Sequence, residues 1–344
     1  MNRPTTIAAV GARPTVSILV VVRNERHHIN ACLSQICAQD YPEDLLEIII
    51  VDSMSDDGTV EAAESFPTRG IKLKALSIPE RGRAQGLNRG IRVATGALIV
   101  RIDARTIIGV DYVSRCVETI LETGADNVGG VRKPIAHSAT QEAIGLALSH
   151  PFGVGSTHSR LGGKSGNVDS VYLGCFRRDI FDKVGLFDED AAVINEDWDL
   201  NYRIRAAGGK VYLNAEISAY YLPRESLRDL WRLYFRYGGA RVGNLLKHRN
   251  FGSWRYVVAP TFVLSVFLGL LLAAFDKTFL YVVLLLIALY SLVDLGVALR
   301  IAHEKKRYSL LPQLLLAFPF MHFSWGFGFW KRLVIPQARG TYWS

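Results

Sequence analysis

Only four cysteines occur in the 344 residues, none in a CxxC pair and none at a metal-ligand spacing, which excludes a disulfide scaffold and a structural zinc site. Cys32, Cys37, Cys116 and Cys175 read instead as buried, reduced core residues. The chain does not open on a charged stretch followed by an apolar run and a small-residue cleavage site, so no secretory leader is expected; residues 1–14 read as a flexible tail. Internal repeats and low-complexity segments are absent, and with them the solenoid and linker architectures. Acidic residues are the minority, 32 against 40 basic, for a net charge of +8. The basic excess gathers beside apolar segments rather than along one recognition element, which argues against nucleic acid as a partner. It suits anionic small molecules, diphosphates and lipid headgroups.

What is present is unevenly distributed. Up to about Gly252 the chain reads as a globular domain, whereas from Val257 onward Leu, Val, Ile, Phe and Ala dominate. Residues 257–275 and 278–299 are each long enough to cross a hydrocarbon layer of ~30 Å, and the Asp276-Lys277 link makes them a helical hairpin. Asp294 lies inside the second segment. Residues 310–330 read as a third span by length, although Pro312, Pro319, Gly326 and Gly328 keep a re-entrant segment open. The basic stretches 247–255 and 300–309 place both of these loops on the cytoplasmic side. Before the spans, Arg228, Arg232 and Arg236 recur every four residues on one stripe of an amphipathic stretch, with Leu227, Trp231, Tyr234 and Phe235 on the remainder. That pattern predicts a helix lying in the headgroup plane. The expected division is a tail (1–14), a soluble domain (15–225), an interface region (226–255) and a membrane domain (256–344).

The soluble part alternates strands and helices. The run 16–22 ends on Arg23-Asn24-Glu25; 46–51 ends on Asp52 and a polar turn at 53–59; 72–78 leads to Arg81-Gly82-Arg83 and a helix bearing Gln85, Asn88 and Arg92; 97–102 ends on Asp103-Ala104-Arg105. Such a chain predicts an α/β sheet with helices on both faces. Ligands of these sheets sit at the carboxyl ends of the strands, so Asn24, Glu25, Asp52, Arg83 and Asp103 should meet at one crevice. Taken singly, each is equally a turn or cap residue. Residues 188–208 carry Asn195-Glu196-Asp197 at the start of a helix that Gly208-Gly209 ends. Those acids either cap the helix or supply a general base at the mouth of a cleft. Gly129-Gly130 marks a strand where backbones approach closely. Residues 153–167, with His158, Arg160 and Lys164, form a solvated loop or a basic flap; Tyr172, Gly174 and Arg177 lie on the strand that follows.

These stretches together resemble family 2 glycosyltransferases of the GT-A fold, inverting enzymes that use nucleotide sugars. The chain is most similar to the membrane-bound, succinoglycan-synthesis type, which extends sugars on polyprenyl diphosphate. The resemblance implies a multi-pass protein of the bacterial plasma membrane with a cytoplasmic catalytic domain, a UDP-sugar donor, and a lipid-linked acceptor in exopolysaccharide or surface-glycan synthesis. Asn24, Glu25 and Asp52 would hold the nucleoside, Arg83 and Asn88 would line the same pocket, and Asp103 would lie near the ribose and diphosphate. Asp197, beside Glu196, matches the catalytic base. Arg160, Lys164, Tyr172, Gly174, Arg232 and Arg236 would serve the acceptor and its diphosphate. The family's Asp-x-Asp triplet departs here, because Arg105 stands at the second acidic position and a guanidinium cannot ligate a cation. A divalent cation, Mn²⁺ or Mg²⁺, held by Asp103 is one outcome; diphosphate neutralised by Arg105 is another; Arg105 turned away is the third. The processive Gln-x-x-Arg-Trp motif is echoed only by Arg236-Tyr237, which argues against a processive synthase. The rival readings are a transferase acting on polyprenyl monophosphate and a non-catalytic donor-binding subunit.

Overall fold

A computed structural model of the chain describes residues 13–155, 157–189, 196–248 and 254–335. Asn195, most of the tail and most of the basic stretch at 247–255 lie outside the described residues. Nine strands form one sheet: β1 (Val16–Val22), β2 (Leu46–Asp52), β3 (Lys72–Ser77), β4 (Leu98–Asp103), β5 (Ile107–Ile108), β6 (Asn127–Pro134), β7 (Gly166–Asn167), β8 (Tyr172–Arg177) and β9 (Val211–Tyr221). Their order is β3-β2-β1-β4-β8-β6-β9-β5, with β7 on β9. The first four are parallel and β8 joins β4 antiparallel. The α/β expectation therefore holds, and the strand ends fall within a residue of those read from the sequence.

The predominantly apolar strands VSILVVV and LEIIIVD are buried on both faces, as central parallel strands covered by helices require. Helices α1 (Ile29–Cys37), α2 (Thr59–Glu64), α3 (Arg83–Val93) and α4 (Tyr112–Thr123) follow the early strands. Short helices α5 (Ala139–Ala147), α6 (Pro151–Val154), α7 (His158–Leu161) and α8 (Ile180–Val184) fill the connections before α9 (Glu196–Ala206). Charges that enter this core are partnered. Glu47 on β2 accepts from Ser17 Oγ at 2.5 Å, Thr95 N at 2.6 Å and Lys74 Nζ at 3.0 Å, which meets the requirement that a buried carboxylate be fully partnered. All four cysteines are buried and free, as read. The close approach at Gly129-Gly130 is also present: a Cβ on Gly130 would lie 2.4 Å from the Ile217 carbonyl oxygen.

The C-terminal part is α10 (Leu227–His248), α11 (Arg255–Leu272), α12 (Lys277–Glu304) and α13 (Leu311–Val334). Three helical stretches, Arg255–Leu272, Lys277–Glu304 and Tyr308–Val334, are long and apolar enough to cross a membrane. The third, with Pro319 inside it, is one uninterrupted helix rather than a broken pair. Helix α10 differs from the sequence expectation in what covers its apolar face. Leu230 and Tyr234 share a core with Leu314, Ala317 and Phe318 of α13, so that face meets protein rather than lipid. Glycine makes the approach possible: a Cβ on Gly238 would lie 2.1 Å from the Trp325 carbonyl oxygen, and one on Gly328 1.9 Å from that of Phe235.

Candidate active site

At the carboxyl ends of β1 and β2 the two loops are laced together. Asn24, in the left-handed region at φ 53°, accepts from Asp56 N at 3.1 Å and donates its own N–H to Ser55 Oγ at 2.8 Å. Asp52 accepts from Ser55 N at 3.0 Å, and Glu25 N donates to Thr59 Oγ1 at 2.9 Å. Arg105 extends from the β4 end to the same place: its Nε donates to both carboxylate oxygens of Glu25 at 2.9 Å, and the side chain is 62% exposed. Arg105 is thus turned to Glu25.

Beyond β4 lies a cavity of about 680 Å³. Its sheet-side wall carries Arg83, Arg101, Asp103, Tyr172 and Asp197. Arg101 and Asp103 are two residues apart on one strand and so project from the same face. Arg101 Nε donates to Asp103 Oδ1 at 3.0 Å, and its Nη1 to Glu196 Oε1 at 3.3 Å; Arg83 Nη1 lies 3.7 Å from that same oxygen. Burial pushes the Asp103 carboxyl up, but Arg101 and Arg83 outweigh it and hold it down at about 2. Asp197, at the start of α9, behaves oppositely. Burial and the neighbouring Glu196 push its carboxyl above the usual carboxylate range, against the pull of Arg101, Arg83 and its hydrogen bond from Trp198 N. Two carboxyls in one cleft with affinities driven apart are a hallmark of acid–base sites.

Helix α9 is tied to the far end of α10. Asp199, fully buried, accepts from Arg203 Nε at 2.9 Å, Lys247 Nζ at 2.6 Å and His248 Nε2 at 2.7 Å. His248 also lies against the Tyr202 ring, 4.3 Å between centroids.

The rest of the wall comes from α7, α10, the first turns of α11 and the middle of α13: His158, Arg160, Arg241, Ala259, Met321, His322 and Trp325. His322 Nε2 is 2.8 Å from the Phe152 carbonyl, so the segment over the cavity is attached to a helix of membrane-crossing length. Within this stretch Arg160 lines the cavity, and Lys164 is exposed outside it.

Several expected residues are engaged elsewhere. The buried amide of Asn88 donates from Nδ2 to the Phe187 carbonyl and to Glu189 Oε1 and accepts from Phe187 N, fixing the turn before α9 rather than lining the cavity. Gly174, at φ 105°, is a packing position whose Cβ would meet the Phe176 ring at 2.6 Å. Arg232 is exposed and pairs with Asp229 at 3.6 Å; Arg236, like Arg232, is absent from the cavity lining. The sequence reading missed Arg101, Arg132, Asp199 and Arg241. For Arg101 the signal was available, two residues before Asp103 on a strand.

A metal fits this site poorly. Among the described residues no group of three or more His, Cys, Asp or Glu side chains could hold one. The Asp103 carboxylate faces Arg101 and feels Arg83, and the second acidic position is an arginine, so a divalent cation at Asp103 would meet two repelling guanidinium groups.

The doubly covered sheet, with acids and bases gathered at its strand ends, defines a GT-A glycosyltransferase. The model of the family described as "Glycosyl transferase family 2" matches residues 17–185. Succinoglycan biosynthesis protein ExoA of Rhizobium meliloti (strain 1021) is 30% identical over 329 residues, covering 94% of this chain and 97% of that protein. The chain belongs to glycosyltransferase family 2. A Methanococcus voltae dolichyl N-acetyl-alpha-D-glucosaminyl phosphate 3-beta-D-2,3-diacetamido-2,3-dideoxy-beta-D-glucuronosyltransferase is 26% identical over 93% of this chain and 97% of its own length. Among solved structures, the mannosyltransferase PcManGT of Pyrobaculum calidifontis, in complex with GDP-Man and Mn²⁺, superposes with a TM-score of 0.60 at 22% identity, covering 96% of this chain and 90% of that one.

Proposed function

We propose that this glycosyltransferase transfers one sugar, a hexose such as glucose, from a UDP-sugar to a saccharide carried on polyprenyl diphosphate, with inversion, in exopolysaccharide or surface-glycan synthesis. The observation that carries the reading is the single cavity bounded by Asp103 and Asp197 on one side and by Ala259, Met321, His322 and Trp325 of α11 and α13 on the other. Such a space lets a soluble donor and a membrane-borne acceptor meet. Support also comes from the relatives, one named for succinoglycan biosynthesis and one for a dolichyl-phosphate-linked sugar acceptor.

In this mechanism Asp197 takes the proton of an acceptor hydroxyl as that oxygen attacks the anomeric carbon, and the nucleoside diphosphate departs from the opposite face. The raised affinity of Asp197 for protons makes it a stronger base than a solvated carboxylate. Arg83 and Arg101 meet the charge that develops on the leaving diphosphate, a task suited to planar, permanently charged donors. Asn24, Glu25 and Asp52 hold the nucleoside at the adjoining loops, while Tyr172 and Arg160 face the acceptor. Residues 15–225 form the catalytic domain on the cytoplasmic side of a bacterial plasma membrane, 226–255 the interface region and 256–344 the membrane domain.

The test is UDP release from a panel of UDP-sugars by protein in lipid, with a polyprenyl-diphosphate saccharide as acceptor. Asp197→Asn is expected to lower turnover by about 10²–10⁴-fold, the usual contribution of a general base. A UDP-α-sugar should give a β linkage, and a retained α linkage would remove inversion from the proposal.

A further inference from the structure

The cavity holds more guanidinium than its sheet side engages. Arg83 and Arg101 have carboxylate partners in Asp103 and Glu196. Arg241, on α10, is 3% exposed, and neither its Nε nor its Nη2 has a hydrogen-bond partner. What holds it are ring faces: its guanidinium carbon lies 3.2 Å from the centroid of Tyr256 on α11 and 4.2 Å from that of Trp198, next to Asp197. Arg132 shows the same arrangement, 3.7 Å from the Tyr221 ring and 4.5 Å from Tyr172, with its Nε unpartnered. Arg160 Nη1 is unpartnered as well. Aromatic faces stabilise a cation without consuming its N–H groups, so these planar groups are fixed by their faces while edges stay available. An unpaired buried guanidinium edge is costly, and a pocket built from several is suited to an anion. Burial pulls Arg241 down to about 10, still charged at neutral pH.

We infer that Arg241, with Arg132 and Arg160, forms a phosphate seat at the membrane end of the cavity, which takes the diphosphate of the lipid carrier and so sets the acceptor sugar beside Asp197. The inference rests on the proposed lipid-linked acceptor and adds the group that holds its charged part. Arg241, on α10, lies against Trp198 of α9 and Tyr256 of α11, so an anion on its free edge is in register with the catalytic helix and with the membrane helices at once. Arg241 is the member of the seat that stands apart from the donor-end carboxylates, which Arg83 and Arg101 engage, whereas Arg132 also helps hold the Asp103 carboxyl down.

The experiment is equilibrium binding to the full chain in detergent or nanodiscs, with farnesyl diphosphate, farnesol and inorganic pyrophosphate as probes and UDP as the donor-end control. Farnesyl diphosphate should bind more tightly than either farnesol or pyrophosphate. Arg241→Met should weaken it by about 10–100-fold, the loss expected for charge-assisted hydrogen bonds, and leave UDP affinity within about twofold. Arg241→Lys should recover part of the loss, since charge returns but the fork does not. Arg160→Met serves as the second variant should Arg241→Met fail to fold, as judged by thermal unfolding. Unchanged farnesyl diphosphate affinity in the folded variants overturns the seat, as does a parallel loss of UDP affinity. Pyrophosphate binding as tightly as farnesyl diphosphate overturns the lipid carrier as its occupant. Arg241-dependent farnesyl diphosphate binding by a protein that releases UDP from no donor would sustain the seat and sink the transferase reading instead.

Discussion

Replacing Asp199 by Asn tests whether α9, which carries Asp197, is held from the end of α10. The carboxylate is fully buried and accepts from Arg203, Lys247 and His248 at 2.9, 2.6 and 2.7 Å. Breaking a wholly buried ion pair costs about 3–5 kcal/mol, because the surviving charges are left unpaired. Here the Arg203 and Lys247 side chains are 22% and 35% exposed and can be rehydrated in part, which lowers the expectation to about 2–3 kcal/mol. The assay is thermal or denaturant unfolding of both proteins across pH. Burial pushes the Asp199 carboxyl up, but Lys247, Arg203 and His248 outweigh it and hold it below the usual carboxylate range. A depressed folded value means that the stabilisation is complete above the unfolded-state value of about 4 and is lost as pH falls through the folded one. The gap between the two proteins should therefore be full at neutral pH and close towards the acid end. Since Asp197 is two residues away on α9, kcat should fall as well, on the order of tenfold for a misplaced base. An Asp199→Asn protein that unfolds and turns over like the parent at neutral pH would refute the reasoning.

Two other outcomes follow from the same geometry. Glu196 raises the proton affinity of Asp197, so Glu196→Gln should move the acid limb of the kcat/KM profile to lower pH; an unmoved limb would detach that limb from Asp197. Gly238→Ala gains about 1 kcal/mol of helix propensity but places a methyl 2.1 Å from the Trp325 carbonyl oxygen, an overpacking cost of about 1–3 kcal/mol, so net destabilisation in detergent is expected and a stabilised variant would contradict the contact.

The elements read most directly from the sequence are those whose signal is local. Strands β1, β2 and β4 announce themselves as apolar, β-branched stretches, and Asp52, Asp103 and Arg83 stand where such strands and the next helix place ligands. Asp197 was legible for the same reason, as an acid at the start of a helix. The misses are of another kind. Lys247 and His248 reach Asp199 across 48 and 49 residues, a pairing that no window of sequence contains. Arg241 follows Arg236 by five residues, about 140° round the helix, so it leaves the basic stripe and enters the cavity. Arg232 kept the stripe and stayed outside. Asn88 has the chemistry of a nucleotide contact, but the turn at Phe187 occupies its whole amide. In each case composition gave the right kind of group, and tertiary packing decided what it faces.

The core shared by α5, β9, α10, α12 and α13 bears on how this enzyme can be handled. Ala143, Ile144 and Ala147 of α5 and Tyr221 of β9 are buried in one cluster with Ala298, Leu314, Phe318 and Met321 from the apolar helices. A truncation that ends before α11 would strip that cluster bare, leave an apolar scar on the remaining domain and remove one wall of the cavity. The C-terminal helices are therefore no detachable tether: an excised soluble fragment would be a different, stickier object, and a chimera with foreign helices would need their inner faces redesigned to fit α5 and α10.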